Sequence, residues 1–115
     1  MRLETQKYLY DIKSAADLLA TFIASKSFVE YQNEALLRAG VERQFEIIGE
    51  ALAQLSRSDE NTAERISQYR RIIAFRNILI HGYADIDDRL VWDIAETSLP
   101  ALRREVADLL EEDVG

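Results

Sequence analysis

Residues 76–83 hold side chains that can act together on a phosphodiester. They read R-N-I-L-I-H-G-Y, and His81 is the only histidine of the chain. Histidine is the side chain that titrates near neutral pH and serves most often as a general acid or base. The guanidinium of Arg76 is always charged, and its planar fork fits two phosphoryl oxygens. Asn77 can orient either group, and Tyr83 can hydrogen-bond a phosphate or stack on a base.

RNA cleavage through its own 2′-hydroxyl needs a base, an acid and cations for the phosphorane. One imidazole cannot readily be both base and acid, so we expect a symmetric homodimer in which two copies of Arg76 and His81 share a cleft. On an ideal helix these residues lie about 140° apart. Either the helix ends or bends near Ile80, which Gly82 would permit, or a second subunit brings them together.

A structural role is the alternative for both residues. A lone histidine is commonly a surface or capping residue, here close to the turn that follows the helix. Arg76 projects through an apolar arc of its helix, where an unpaired charge costs several kcal/mol. The acids at matching helical depth are Glu42, Glu46 and Glu50, and a purely structural ion pair with one of them is left open.

The charge distribution allows a polyanionic partner. The chain carries 14 Lys and Arg against 21 Asp and Glu, a net charge of −7, yet residues 65–84 hold four arginines and no acid. On the face of the helix opposite the apolar arc, small and polar groups recur at helical spacing, with Arg70 as a candidate phosphate contact and Ala74, Asn77 and His81 following. Local charge therefore matters more than total charge.

The elements that must position these residues are helices. Apolar residues recur at spacings of three and four over residues 8–22, 37–55 and 91–109. A further helix is predicted from near Ala63 to the region of Gly82, capped by Asn61 or Thr62. Pro100 either kinks the last helix or starts a continuation capped by Ser98. We predict an all-α, antiparallel bundle of four to five helices, with residues 1–115 as a single domain.

Composition excludes several classes of protein. Cysteine is absent, which removes disulfides, thiolate metal sites and thiol nucleophiles. The longest apolar run has four residues, far short of a membrane span, and the first residues lack an apolar signal region, so a cytoplasmic location is expected. No metal or cofactor is expected, because His81 with the aspartates of residues 85–88 lacks the paired-ligand spacing of zinc sites. Those aspartates are better explained as a capping turn.

The motif resembles a known family. Residues 76–83 follow the R-x4-H-x-Y pattern of the HepT-like toxins within the HEPN ribonuclease superfamily. Residues 46–51, E-I-I-G-E-A, are similar to a helix of that family. Tyr69 lies where many relatives carry an aromatic residue, commonly Trp, and the pairs at 91–92 and 99–100 are also similar to its last helices. The resemblance therefore spans most of the chain.

The resemblance implies a HEPN-like homodimeric fold and a metal-independent endoribonuclease. Arg76 and His81 would be the catalytic pair, and Asn77 would assist them. Independently of the resemblance, helical depth makes Glu50 and Glu46 candidate structural partners of Arg76. The enzyme would be the toxin of a toxin–antitoxin pair, with RNA such as tRNA or mRNA as substrate. A minimal nucleotidyltransferase antitoxin would inhibit it by adenylylating Tyr83.

Two other functions remain open at this point. A catalytically inactive HEPN module that binds nucleotide, or only docks a transferase partner, would have the same fold without RNA cleavage. A purely structural dimerising bundle would use Arg76 as a buried ion pair and His81 as a helix cap. Gly49 carries a similar pair of explanations, because a mid-helix glycine serves either a close helix crossing or room for a neighbouring side chain or ligand.

Overall fold

Six α-helices form the part of the chain that the computed structural model describes, residues 1–82 and 85–114. Four of these helices are long and two are short. In chain order they are α1 (Leu3–Ile23), α2 (Phe28–Asn33), α3 (Ala35–Ser58), α4 (Glu60–Ala63), α5 (Tyr69–His81) and α6 (Asp88–Val114). The all-α prediction is confirmed, and no strand occurs within these residues.

Helix α1 packs antiparallel to its two long neighbours. Thr5 at the start of α1 donates a hydrogen bond to Asp59 after the end of α3, while Phe22 near the end of α1 lies against Gly40. α6 runs back along α1 in the same way, with Asp17 bound to Arg103. This arrangement buries one apolar face of each helix in a shared core.

The core reaches α5 through aromatic and aliphatic side chains. Phe45 of α3 and Phe75 of α5 meet edge to face, with ring centroids 5.2 Å apart. The buried side of α5 is completed by Tyr69, Ile72 and Leu79. Ile78 and Ile80 stay exposed at 49% and 43%, so the apolar surface of α5 extends beyond what this chain covers.

The sequence predicted four or five helices, whereas the described residues form six, because two of the six are short. α2 has six residues and begins at a capping box, in which Ser27 and Glu30 exchange hydrogen bonds. α4 has four residues, too few to show a period. Asp59 caps its N-terminus, where the carboxylate accepts from the backbone N–H and the hydroxyl of Thr62, and these bonds hold the pKa of Asp59 below its usual value. The predicted capping by Asn61 or Thr62 is therefore wrong.

The predicted start of the third long helix is also wrong. α5 begins at Tyr69, six residues later than the sequence pattern indicated, and Ile66 is buried in the turn before it. α6 runs without interruption through Pro100, so a new helix capped by Ser98 does not form.

That residues 1–115 make one domain stays a prediction. Within the described residues, no helix combines the length and the apolar character that a bilayer crossing requires.

Candidate active site

Arg76 is positioned by a close crossing of α3 and α5. The backbone of Gly49 lies so near Arg76 that a Cβ built on the glycine would come within 2.7 Å of the Arg76 Cγ and nearer still to its Cβ. Contacts of this kind do not occur between real side chains, so only glycine fits at position 49. Both explanations of Gly49 therefore apply together. The two helices cross closely at this position, and the space that the glycine leaves is taken by the side chain of Arg76.

The guanidinium of Arg76 is held by two acceptors. Its Nη2 forms an ion pair with the carboxylate of Glu50, and its Nη1 donates to the amide oxygen of Asn77 at 2.9 Å. The other Glu50 oxygen accepts from Gln54 at 2.9 Å. Nε of Arg76 is buried with no partner among the described residues. The side chain is 23% exposed, so one edge of the cation still reaches solvent.

A polar strip lies on the solvent side of α5. Arg70, Ala74, Asn77 and His81 are all exposed and follow one another at helical spacing. The guanidinium of Arg70 stacks over the ring of Tyr69, with its central carbon 4.9 Å from the ring centroid. Asn77 joins this strip to Arg76, because its amide oxygen is the acceptor for that guanidinium.

His81 is the last residue of α5, and the helix does not bend before it. The backbone N–H of Gly82 still donates to the carbonyl of Ile78 at 2.8 Å. The helix therefore ends just after Ile80, but His81 is still part of it, so this end does not bring His81 to the side of Arg76. Arg76 and His81 remain about 140° apart around one helix, with an axial separation of about 7.5 Å. Within one chain, the two side chains point to different sides of α5.

The other two candidate acids lie on α3 before Glu50 and do not pair with Arg76. Glu46 lies one turn before Glu50 on α3, in a depression that Lys7 and Arg43 also line. The pKa of Glu42 is raised, first because it is partly buried and then because the carboxylates of Asp88 and Glu46 repel its charge. Of these three acids, Glu50 is the ion-pair partner of Arg76.

The segment after α5 contains two further residues of interest. Tyr83, the predicted phosphate-binding and modification residue, lies outside the residues that the structure describes. Asp87 accepts from the backbone N–H groups of Arg89 and Leu90 and thereby starts α6, as expected for a capping turn. No group of three or more potential ligands in residues 1–82 and 85–114 is arranged to hold a metal ion.

A depression next to Asn77 was missed by sequence reasoning. It measures about 450 Å³ and lies between the end of α3, the start of α4 and the polar strip of α5. Residues from three elements line it: Ser56, Glu60, Tyr69, Arg70, Ile73, Ala74 and Asn77. The spacing along α5 indicated Arg70, Ala74 and Asn77, but no sequence signal connects them to Ser56 or Glu60.

The fold and this arrangement define a class of helical proteins that carry an arginine, an asparagine and a histidine on one exposed helix. The Ribonuclease HepT-like family matches residues 12–109 of the chain, which includes all three. The chain therefore belongs to the HepT-like ribonuclease family, as the sequence resemblance indicated.

Individual relatives align with this chain over almost their whole length. A “Putative RNase” of Methanocaldococcus jannaschii is 31% identical over 103 residues, which cover 90% of this chain and 94% of the relative. A “Probable ribonuclease HepT” of Thermococcus cleftensis is 28% identical over 103 residues, 90% of this chain and 93% of the relative. No solved structure gives a significant match.

The crossing at Gly49 gives a stability prediction. Gly49→Ala removes a flexible residue from a helix, which alone favours folding by about 1 kcal/mol. We expect the variant to be less stable by about 1–3 kcal/mol nonetheless, because the added methyl pushes α5 and Arg76 away from α3. Urea denaturation measures the difference in the free energy of unfolding.

Gly40→Ala is the matched control in the same helix. Its Cβ would meet only the ring of Phe22, at 3.1 Å, and that half-buried side chain can move. We expect this variant to be as stable as the parent or more so. Equal effects of the two substitutions would show that Gly49 has no special role at the crossing.

Proposed function

We propose that the chain is an endoribonuclease that cleaves RNA through attack of the 2′-hydroxyl on the adjacent phosphate. One observation carries the proposal: in a member of a ribonuclease family, Arg76 is fixed beside an exposed strip that contains Asn77 and His81. A fixed cation and an accessible imidazole are the groups that this reaction needs.

The chemistry divides among these side chains. His81 accepts the proton of the 2′-hydroxyl or delivers one to the departing 5′-oxygen, a contribution of about 10²–10⁴-fold. Arg76 stabilises the charge on the phosphorane, where one preorganised donor is worth about 10²–10³-fold. Asn77 orients Arg76, Glu50 and Glu46 support it, and Arg70 binds a flanking phosphate. No step requires a metal ion.

The proposed active unit is a homodimer with a composite site. Since Arg76 and His81 point to different sides of one helix, a second chain is the simplest source of a complete set. The exposed Ile78 and Ile80 lie between the two functional residues and offer apolar surface for such a contact. Two copies of α5 around a two-fold axis would supply two imidazoles, one as base and one as acid.

The proposed biological role is that of a toxin with a cognate nucleotidyltransferase antitoxin. This part rests on the family resemblance and on the position of Tyr83, two residues after His81. In the proposed inhibition, the Tyr83 oxygen attacks the α-phosphate of ATP, pyrophosphate leaves, and the phenol proton passes to solvent. The product carries a bulky, negatively charged nucleotide close to the cationic site. A cytoplasmic location also stays a prediction.

A second function is supported by the Arg76–Glu50 ion pair. Glu50 neutralises part of the positive charge that a phosphate would need, and an inactive module that binds nucleotide or docks a transferase would retain this pair for folding. The two functions differ in whether His81 is needed for cleavage.

His81→Ala separates them. We expect RNA cleavage to fall by at least about 100-fold, because a proton-transfer group is lost. The melting temperature should stay unchanged, since the side chain is exposed. The assay uses an oligoribonucleotide in EDTA, with a matched strand that lacks one 2′-hydroxyl to identify the attacking group.

Ser14→Ala, at an exposed position on α1, is the control and should cleave like the parent. Undiminished cleavage by His81→Ala would exclude the proposed mechanism. Absence of cleavage by the parent chain itself would favour the inactive module.

Tyr83→Phe tests the proposed inhibition. After incubation with the nucleotidyltransferase and ATP, we expect the parent chain to gain the mass of one adenylyl group and to lose cleavage activity. The variant should gain no mass and stay active, because it lacks the accepting oxygen. Tyr10→Phe, which changes a tyrosine that is 62% exposed on α1, should be modified like the parent. An adduct on Tyr83→Phe would move the modification to another residue.

A further inference from the structure

We propose that the depression beside Asn77 is a nucleobase subsite for a base with an exocyclic amino group, guanine above all. The inference rests on the proposed ribonuclease function and adds which part of the RNA is recognised. The depression, at about 450 Å³, has the size of common small-molecule sites. It begins at Asn77, the residue that binds Arg76, so a nucleotide at the phosphate site can place its base there.

One wall of the depression is a flat stacking surface. Tyr69 is 7% exposed, and the guanidinium of Arg70 covers its ring at 4.9 Å. Unpaired RNA bases stack on guanidinium planes and aromatic rings in this manner. Arg70 can bind phosphate through its edge and a base through its face. Ala74, with its short exposed side chain, leaves the space above this surface open.

The end of the depression formed by α3 and α4 presents hydrogen-bond acceptors. The hydroxyl of Ser56 donates to the carbonyl of Ala53 at 2.9 Å, so its oxygen remains as an acceptor. Glu60 is exposed, and none of the ion pairs in the described part of the chain involves it. A carboxylate beside a hydroxyl oxygen repels phosphate and attracts N–H donors, as Glu does at the cytosine amino group.

These acceptors discriminate among the four bases. Guanine presents two neighbouring donors, N1–H and the 2-amino group, which one carboxylate can bind together. Adenine and cytosine each present one amino group. Uracil offers a single N–H between two carbonyl oxygens, and those oxygens would face the Glu60 carboxylate. The expected order of affinity is therefore guanine first and uracil last.

Asn77 lies between the two parts of the proposed nucleotide site, the phosphate position at Arg76 and the base position in the depression. Its amide oxygen accepts from Arg76, whereas its amide N–H groups have no acceptor among residues 1–82 and 85–114 and can donate to a base or sugar oxygen. Arg70 and Asn77 lie seven residues apart, about 10.5 Å along α5. The nucleotide would lie along the helix, with its phosphate near Arg76 and its base directed toward Glu60.

Titration of the ¹⁵N-labelled full-length chain with GMP, AMP, CMP and UMP tests the subsite. We expect GMP to shift the amide signals of Ser56, Glu60 and Ala74, and to bind at least about tenfold more tightly than UMP. Glu60→Gln should reduce this ratio to less than about threefold, because its amide presents a donor as well as an acceptor. Ala74→Leu should weaken the binding of all four nucleotides by filling the depression.

Ala39→Leu, the same change at an exposed position of α3 outside the depression, is the control and should bind like the parent. Equal affinity for the four nucleotides, no binding, or shifts confined to other residues would overturn the subsite. The outcome is separate from that of His81→Ala. Cleavage that depends on His81 with no base discrimination refutes the subsite alone, whereas base discrimination without cleavage refutes the ribonuclease and retains a nucleotide site.

Discussion

The ion pair between Arg76 and Glu50 across Gly49 is the constraint on which the rest of the site depends. Arg76 emerges from a helix whose flanking residues are largely apolar, and its Nε is buried without a partner among the described residues. Glu50 pairs with the guanidinium, and the missing side chain at Gly49 lets α5 approach closely enough for the pair to form. The close crossing of α3 and α5, which the core side chains also hold, thus contains the Arg76–Glu50 pair.

The same ion pair also reduces the positive charge that Arg76 can offer to a phosphate. With one edge of its guanidinium bound to Glu50 and another to Asn77, Arg76 offers a phosphate less than a full positive charge. A chain with a net charge of −7 adds no long-range attraction for RNA. Further cations are needed near the scissile phosphate. Arg70 on the same strip and the Arg76 of a second chain are the sources that the proposed mechanism uses.

The sequence predicted the long helices well because each buries one continuous face. α1, α3 and α6 follow their apolar spacing, and the turn of residues 85–88 starts α6 as expected. α5 was placed six residues too early because Ile66 continues its apolar pattern although it belongs to a buried turn. The capping box of Ser27 and Glu30 is the sequence signal that marks the start of α2, which is too short to show an apolar period.

The positions of the candidate residues along α5 were predictable from the sequence, whereas their partners on other helices were not. Spacing along one helix placed Arg70, Ala74, Asn77 and His81 on one exposed strip. It could not choose Glu50 over Glu42 or Glu46 as the partner of Arg76, because the register between two helices depends on packing. The depression that α5 forms with Ser56 and Glu60 could not be predicted either, because it too depends on how the helices pack.

Whether two chains complete one active site is tested most directly by subunit complementation. Arg76→Ala and His81→Ala chains with different affinity tags are coexpressed, and the mixed dimer is purified through both tags and assayed for RNA cleavage. We expect both homodimers to be inactive and the mixed dimer to regain part of the parent rate, because one Arg76 and one His81 remain to share the cleft. The mixed dimer should stay slower than the parent, because the second imidazole is lost. A mixed dimer as inactive as both homodimers, or a parent chain that cleaves as a monomer, would exclude the composite site.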